Sequence, residues 1–148
     1  MRLADAMAGV TRLGLDTAPL IYLVEQDPVR TPLLRDIIRR MDAGEFVGYA
    51  SVILLTEAIT LPRRQGDRDL ERLYQDVLTT SANFTIVPVT HVTADLAATL
   101  RAYHHLTTPD ALVAATAIQV GCQALLTNDR GMQRVTGIRV LILDDLSA

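Results

Sequence analysis

This sequence of 148 residues has no lysine, no tryptophan, one cysteine and no run near the ~20 apolar residues of a membrane helix. Each absence excludes something. Cys122 alone can make neither an internal disulfide nor a zinc cluster. Aromatics at 4% are too few for the stacking platform of an RRM or an OB-fold. Seventeen acids against fourteen bases, every one an Arg, leave a net charge of −3. That is not the strongly basic total of a duplex-coating protein. Met1 to Arg12 carries Asp5 and no apolar h-region, so no secretory signal is read and a cytoplasmic location is expected.

What is present is material for a core: 49% hydrophobic and 21% charged residues in the length of one domain. Apolar runs and helical periodicities alternate along the chain. Arg12 to Asp16 reads as a buried strand, turning into a helix with Pro19 in its first turn. A helix is predicted from Thr31-Pro32 to Gly44, with Leu33, Leu34, Ile37, Ile38 and Met41 inward. Phe46 to Ala50 is a strand, and Ser51 an N-cap for a helix over Val52 to Leu61. Further helices are predicted over Asp67 to Thr80, Thr93 to His104 and Pro109 to Val120, the last capped by Thr108. Strands fall at Phe84 to Val89, Gln123 to Thr127 and Ile138 to Leu143. Strands that are apolar throughout and separated by helices imply a parallel sheet covered on both faces.

In open sheets of this kind, ligands bind beyond the carboxyl ends of the strands. Four acids fall there. Asp16 follows the first strand, Asp129 lies just past Thr127, Asp110 is in the second position after the cap of the Pro109 helix, and Glu57 lies inside the helix after the second strand. Each also has an ordinary reading: Asp16 as an N-cap, Asp110 as a complement to the helix dipole, Asn128-Asp129 as a turn. Glu57 shares a helix face with Ile53, Leu54 and Leu61, where a carboxylate is costly unless paired with an Arg elsewhere or bound to a cation. Taken together, the four offer oxygen ligands for a hard cation, Mg²⁺ or Mn²⁺. His104-His105 and His91 fit a zinc site poorly, since adjacent helical residues point apart.

Four segments resemble the PIN-domain family in order and spacing, from about Leu13 to Leu143. They are Leu15-Asp16-Thr17-Ala18-Pro19-Leu20-Ile21-Tyr22-Leu23, Leu55-Thr56-Glu57-Ala58, Thr108-Pro109-Asp110-Ala111-Leu112-Val113-Ala114-Ala115-Thr116-Ala117 and Leu126-Thr127-Asn128-Asp129. Within the family the match is to VapC-like ribonuclease toxins of type II toxin–antitoxin modules. The chain departs from the family at Ala18, often Asn, and at Met132, commonly Phe. About a dozen residues also precede the first strand. The expected organisation is therefore an N-terminal extension over residues 1–12, read as a loose tail or as a stretch before a true start at Met7, and a single domain over 13–148.

The resemblance implies a three-layer α/β/α fold with a central parallel sheet and an acidic pocket at the strand carboxyl ends. It implies that Asp16, Glu57, Asp110 and Asp129 hold one or two Mg²⁺ or Mn²⁺ ions, supported by Thr127 and Thr17. It further implies endonucleolytic cleavage of RNA, a homodimer and a small inhibitory antitoxin, with no membrane partner. An acidic pocket repels phosphate, so Arg130, Arg134, Arg64 and Arg68 are the candidates for holding an RNA backbone, the last two equally readable as a solvated helix face. Two alternatives remain: a non-catalytic PIN-like scaffold binding RNA or protein, and a PIN nuclease of RNA processing without an antitoxin. A phosphotransfer domain is disfavoured, because Ala18 replaces the second Asp of the dehalogenase pattern and the chain lacks the Lys such sites use.

Overall fold

The computed structural model describes residues 1–148. Its centre is a parallel sheet of five strands: β1 (Arg12–Leu15), β2 (Val47–Ser51), β3 (Phe84–Val87), β4 (Ala124–Thr127) and β5 (Arg139–Ile142). The spatial order is β3-β2-β1-β4-β5. Leu13 lies in register with Gly48 on one side and Ala124 on the other. The chain thus builds outward from β1 through β2 to β3, then returns to the far side of β1 for β4 and β5. The crossover direction reverses between β1 and β4, and at such a switch point the connections diverge and leave a crevice.

Seven helices surround the sheet: α1 (Leu3–Ala6), α2 (Thr17–Val24), α3 (Thr31–Asp42), α4 (Ile53–Gln65), α5 (Arg68–Thr80), α6 (His91–His104) and α7 (Thr108–Gln119). Successive strand residues face opposite sides, which divides the core in two. Leu13, Leu15, Ala124 and Leu126 pack with α1 to α5, while Leu125 packs with α6 and α7. Tyr74, Ile37, Met41 and Leu54 anchor the first layer; Leu100, Ala111, Ala114 and Met132 anchor the second. This is the expected three-layer α/β/α architecture. Gly14 is required by close approach, since a Cβ there would lie 2.8 Å from the Ala117 Cβ.

Several boundaries differ from the sequence expectation for local reasons. The cap of α7 is Thr107, not Thr108, and its Oγ1 accepts the Asp110 N–H at 3.4 Å. Asp110 is consequently the third residue of the helix. α4 does not stop at Leu61 but continues through Pro62 to Gln65, where Gly66 (φ 69°) ends it in the left-handed conformation. Helix α6 starts at His91, because Thr90 and Thr93 form a capping box and Thr93 is its buried third residue.

The first twelve residues are not a loose tail. Leu3, Ala6 and Val10 are buried in the larger core. The Leu3 N–H donates to the Ser147 carbonyl at 2.7 Å, and Arg139 Nη1 donates to the Ala6 carbonyl at 2.8 Å. The segment ties the two ends of the chain to the β5 edge of the sheet.

Candidate metal centre

The residues at the switch point are joined by hydrogen bonds. Asp16 leaves β1 in extended conformation and caps α2, its Oδ1 accepting the Thr17 N–H at 2.7 Å. Its other oxygen, Oδ2, accepts from Thr127 Oγ1, also at 2.7 Å, across 111 residues of sequence. Thr127 ends β4, is fully buried and accepts the Asp129 N–H at 3.0 Å. One hydroxyl therefore bridges the Asp16 carboxylate and the backbone of Asp129. Asp129 caps the 3₁₀ turn Arg130–Arg134 through the Gly131 N–H at 2.8 Å. On the other side, Thr17 Oγ1 donates to Glu57 Oε1 at 3.0 Å.

Thr17 and Thr127 thus link the acids that follow β1 and β4 with Glu57 in the second turn of α4. The electrostatics bring in the fourth. Burial pushes the Asp16 carboxyl above its ordinary range, and the charges of Asp110 and Asp129 push it the same way, against the hydrogen bonds from Thr127 and Thr17. Glu57 is also raised, first by loss of hydration and then by Asp16 and Asp110, with the Thr17 hydrogen bond opposing. The acids therefore feel one another.

Glu57 corrects one expectation. It is not buried on an apolar face: the residue is exposed, as is Leu61 one turn on at 54%. Only its carboxylate end, turned onto Thr17, loses part of its water. The fold makes α4 a rim of the crevice, with Leu54 and Ala58 inward and Glu57 beside the opening.

None of the four acids has a cationic partner, since every ion pair in the molecule joins other residues. The cluster is an uncompensated negative charge built only of oxygen donors. No group of three or more His, Cys, Asp or Glu side chains lies close enough together to hold a metal ion. The acids stand near the carboxyl ends of β1 and β4 without forming a ligand cage.

The arginines behave unequally. Arg130 is held by Asp145 through two hydrogen bonds, Nη1 to Oδ2 at 3.0 Å and Nη2 to Oδ1 at 2.7 Å, in an exposed pair. Arg134 reaches only the His104 carbonyl, at 3.5 Å. Arg64 and Arg68 are exposed at the α4–α5 turn with no carboxylate partner and no contact to the acids. Their neighbour Arg63 pairs with Glu71. Sequence reasoning passed over Arg30 and Asp144. Asp144 lies at the end of β5 and satisfies the same strand-end rule as the other acids. Arg30 engages it with Nε at 2.8 Å and Nη2 at 2.9 Å and holds its carboxyl down at about 2, aided by a hydrogen bond involving Asn128. Unlike the other four acids, Asp144 is thus paired with a cation.

Fold and site together define a class: an α/β/α domain with a carboxylate cluster at the switch point of a parallel sheet. The chain belongs to the PIN-domain family, which residues 14–138 match. No curated protein sequence matches it. Solved structures do. A chain of VapBC2 from Rickettsia felis, bound to a DNA fragment from its promoter, superposes with a TM-score of 0.72 at 15% identity, covering 88% of this chain and 98% of that one. DNA-bound VapBC from Salmonella typhimurium gives 0.67 at 20% identity, covering 90% and 98%. Mycobacterium tuberculosis VapC20, described as a Sarcin-Ricin loop cleaving toxin, gives 0.66 at 18% identity, covering 86% and 98%. At these identities the likeness is one of fold.

Proposed function

We propose that this protein is an endoribonuclease dependent on Mg²⁺ or Mn²⁺, the toxin of a VapBC-type pair, acting in the cytoplasm as a homodimer under a small antitoxin. The observation that carries the reading is the set Asp16, Glu57, Asp110 and Asp129: hydroxyls of Thr17 and Thr127 link three of them, Asp110 and Asp129 repel Asp16, and none has a counter-cation. The toxin–antitoxin complexes among the structural neighbours, and the Sarcin-Ricin loop cleaving toxin VapC20, support the same reading by analogy. No helix is long and apolar enough to cross a membrane.

The donor set fits the ion. Mg²⁺ and Mn²⁺ take oxygen ligands, and Mg²⁺ keeps several waters while using only one or two carboxylates directly. The four acids do not form a ligand group by themselves, so water would complete the ion's shell. Asp16, Asp110, Glu57 and Asp129 would share the ion or ions, directly or through water. When bound, the ion supplies charge neutralisation at the phosphodiester and a water more acidic than bulk water.

The protein's own part is positioning. Thr127 holds Asp16 and the Asp129 loop together, while Thr17 holds Glu57 against the end of β1. Asp110, in the first turn of α7, has no protein hydrogen-bond partner for its carboxylate and faces the crevice charge freely. Arg130 adjoins the site. Its pair with Asp145 is exposed to solvent, where screening weakens it, so an RNA phosphate can replace Asp145. Arg134, Arg64 and Arg68 extend the basic surface for the backbone, giving affinity without sequence preference.

The test is cleavage of a mixed RNA pool with Mg²⁺ or Mn²⁺, comparing wild type, Asp110→Asn and wild type with EDTA. Cleavage that disappears in the variant and with EDTA is the expected result. Equal cleavage by Asp110→Asn rejects the site. A folded wild type that binds Mn²⁺ yet cuts nothing, including when freed of any co-purifying small protein, favours a non-catalytic scaffold.

A further inference from the structure

We propose that Asn128, Asp144 and Arg30 form a brace that fixes the Asp129 loop relative to α2, making them positioning residues for the proposed metal centre. The inference rests on the reading of the four acids as a cation site.

The brace is a continuous chain of contacts. Asn128 lies between Thr127 and Asp129, and its Oδ1 accepts the backbone N–H of Asp144 at 3.1 Å. Asp144 presents both carboxylate oxygens to the Arg30 guanidinium, a planar fork on a planar acceptor. The remaining terminal nitrogen of Arg30, Nη1, donates to Asp27 Oδ2 at 3.1 Å. The guanidinium carbon lies 4.5 Å from the centre of the Tyr22 ring, a cation–π contact with a residue of α2 itself. Asp27 Oδ1 in turn accepts the N–H groups of Val29 and Arg30, fixing the turn between α2 and α3. Thr31 Oγ1 donates to the Tyr22 carbonyl at 3.1 Å and holds the start of α3 on the same turn of α2.

The consequence is a closed ring. Along one side, Asp16 caps α2 and reaches the Asp129 loop through Thr127. Along the other, α2 reaches the same loop through Tyr22, Arg30, Asp144 and Asn128. The distance between Asp16 and Asp129 is thereby set from both sides. Two carboxylates that repel one another need such restraint if they are to meet a cation at fixed spacing. Every donor of Arg30 on this face is committed to a carboxylate, and its side chain is only 27% exposed. That distinguishes it from Arg130, which is available to substrate. Arg30 therefore acts on the site through Asn128 and does not itself touch RNA.

The experiment titrates Mn²⁺ calorimetrically into wild type, Asp16→Asn, Asn128→Ala, Arg30→Lys and the Asn128→Ala/Arg30→Lys double variant, with melting temperatures taken in parallel. Losing a supporting contact of a metal ligand typically costs 10–100-fold in affinity. Asn128→Ala, one bond further out, is expected to weaken Mn²⁺ about tenfold and to lower kcat on RNA with KM unchanged. Arg30→Lys keeps the charge but loses the fork, and should move both quantities in the same direction. The double variant should be no worse than the more damaged single, because both break one chain. An Asn128→Ala protein that melts like wild type and binds Mn²⁺ equally well overturns the brace, as do losses that multiply in the double variant. Should Asn128→Ala not fold, unchanged Mn²⁺ affinity in Arg30→Lys overturns it alone. A wild type that binds no Mn²⁺, or an Asp16→Asn variant that binds it fully, is a different failure, that of the metal-site reading.

Discussion

Thr127 carries more of the site than its size indicates. It is buried, donates to Asp16 and accepts from the Asp129 backbone, so one hydroxyl satisfies two polar groups on different segments. Replacing it with Val keeps the shape and removes the hydroxyl. A buried carboxylate oxygen and an N–H then lose their partner, at about 1–3 kcal/mol. Thr127→Val should therefore melt several degrees below wild type, and Thr127→Ser, which keeps the hydroxyl, should recover most of the loss. Thermal unfolding by circular dichroism checks both. The pairing was not legible in the sequence. Thr127 is visible there as the residue before Asn128-Asp129, but nothing local indicates that its hydroxyl meets Asp16 across 111 positions. Glu57 is the converse case: its helical face was legible, and its exposure was not, because burial depends on how α4 meets the sheet.

At the scale of elements, most helices and strands follow from punctuation that the chain carries locally. Thr90 with Thr93, Asp67 before α5 and Gly66 after α4 all act where a cap or stop is needed. The errors were one or two residues wide, as at Thr107, or came from a packing environment that carries α4 through Pro62. One contact between elements has a pH signature. Arg30 and Asn128 lower the Asp144 carboxyl from 3.8 to about 2, so the folded state favours its charged form. That stabilisation is complete above the unfolded value and is lost as pH falls through about 2. Asp144→Asn should accordingly be less stable than wild type near neutrality and show a shallower fall in melting temperature between about pH 4 and pH 2. Parallel curves for the two proteins would mean that the Arg30–Asp144 contact contributes nothing to folding.

For the whole molecule, the strand order β3-β2-β1-β4-β5 puts Asp16, just past β1, beside Thr127 at the end of β4, and that brings acids distant in sequence together. The N-terminal segment belongs to the same assembly. Leu3 is 1% exposed, and its backbone pairs with Ser147. Leu3→Ala should cost about 2–5 kcal/mol, the range for emptying a packed Leu site. A denaturant midpoint equal to that of wild type would return the segment to the status of a tail.

The sequence by itself determined the class of fold and made four acids near strand ends the candidates, because apolar runs, helical periodicity and strand-end position are local properties of a chain. Only the tertiary structure decided which carboxylates remain unpaired. Asp144 obeys the same strand-end rule as Asp129 but meets Arg30, 114 residues away, whereas the four crevice acids meet hydroxyls, backbone N–H groups or one another. Charge pairing is settled by distance in space, and distance in space is what folding adds.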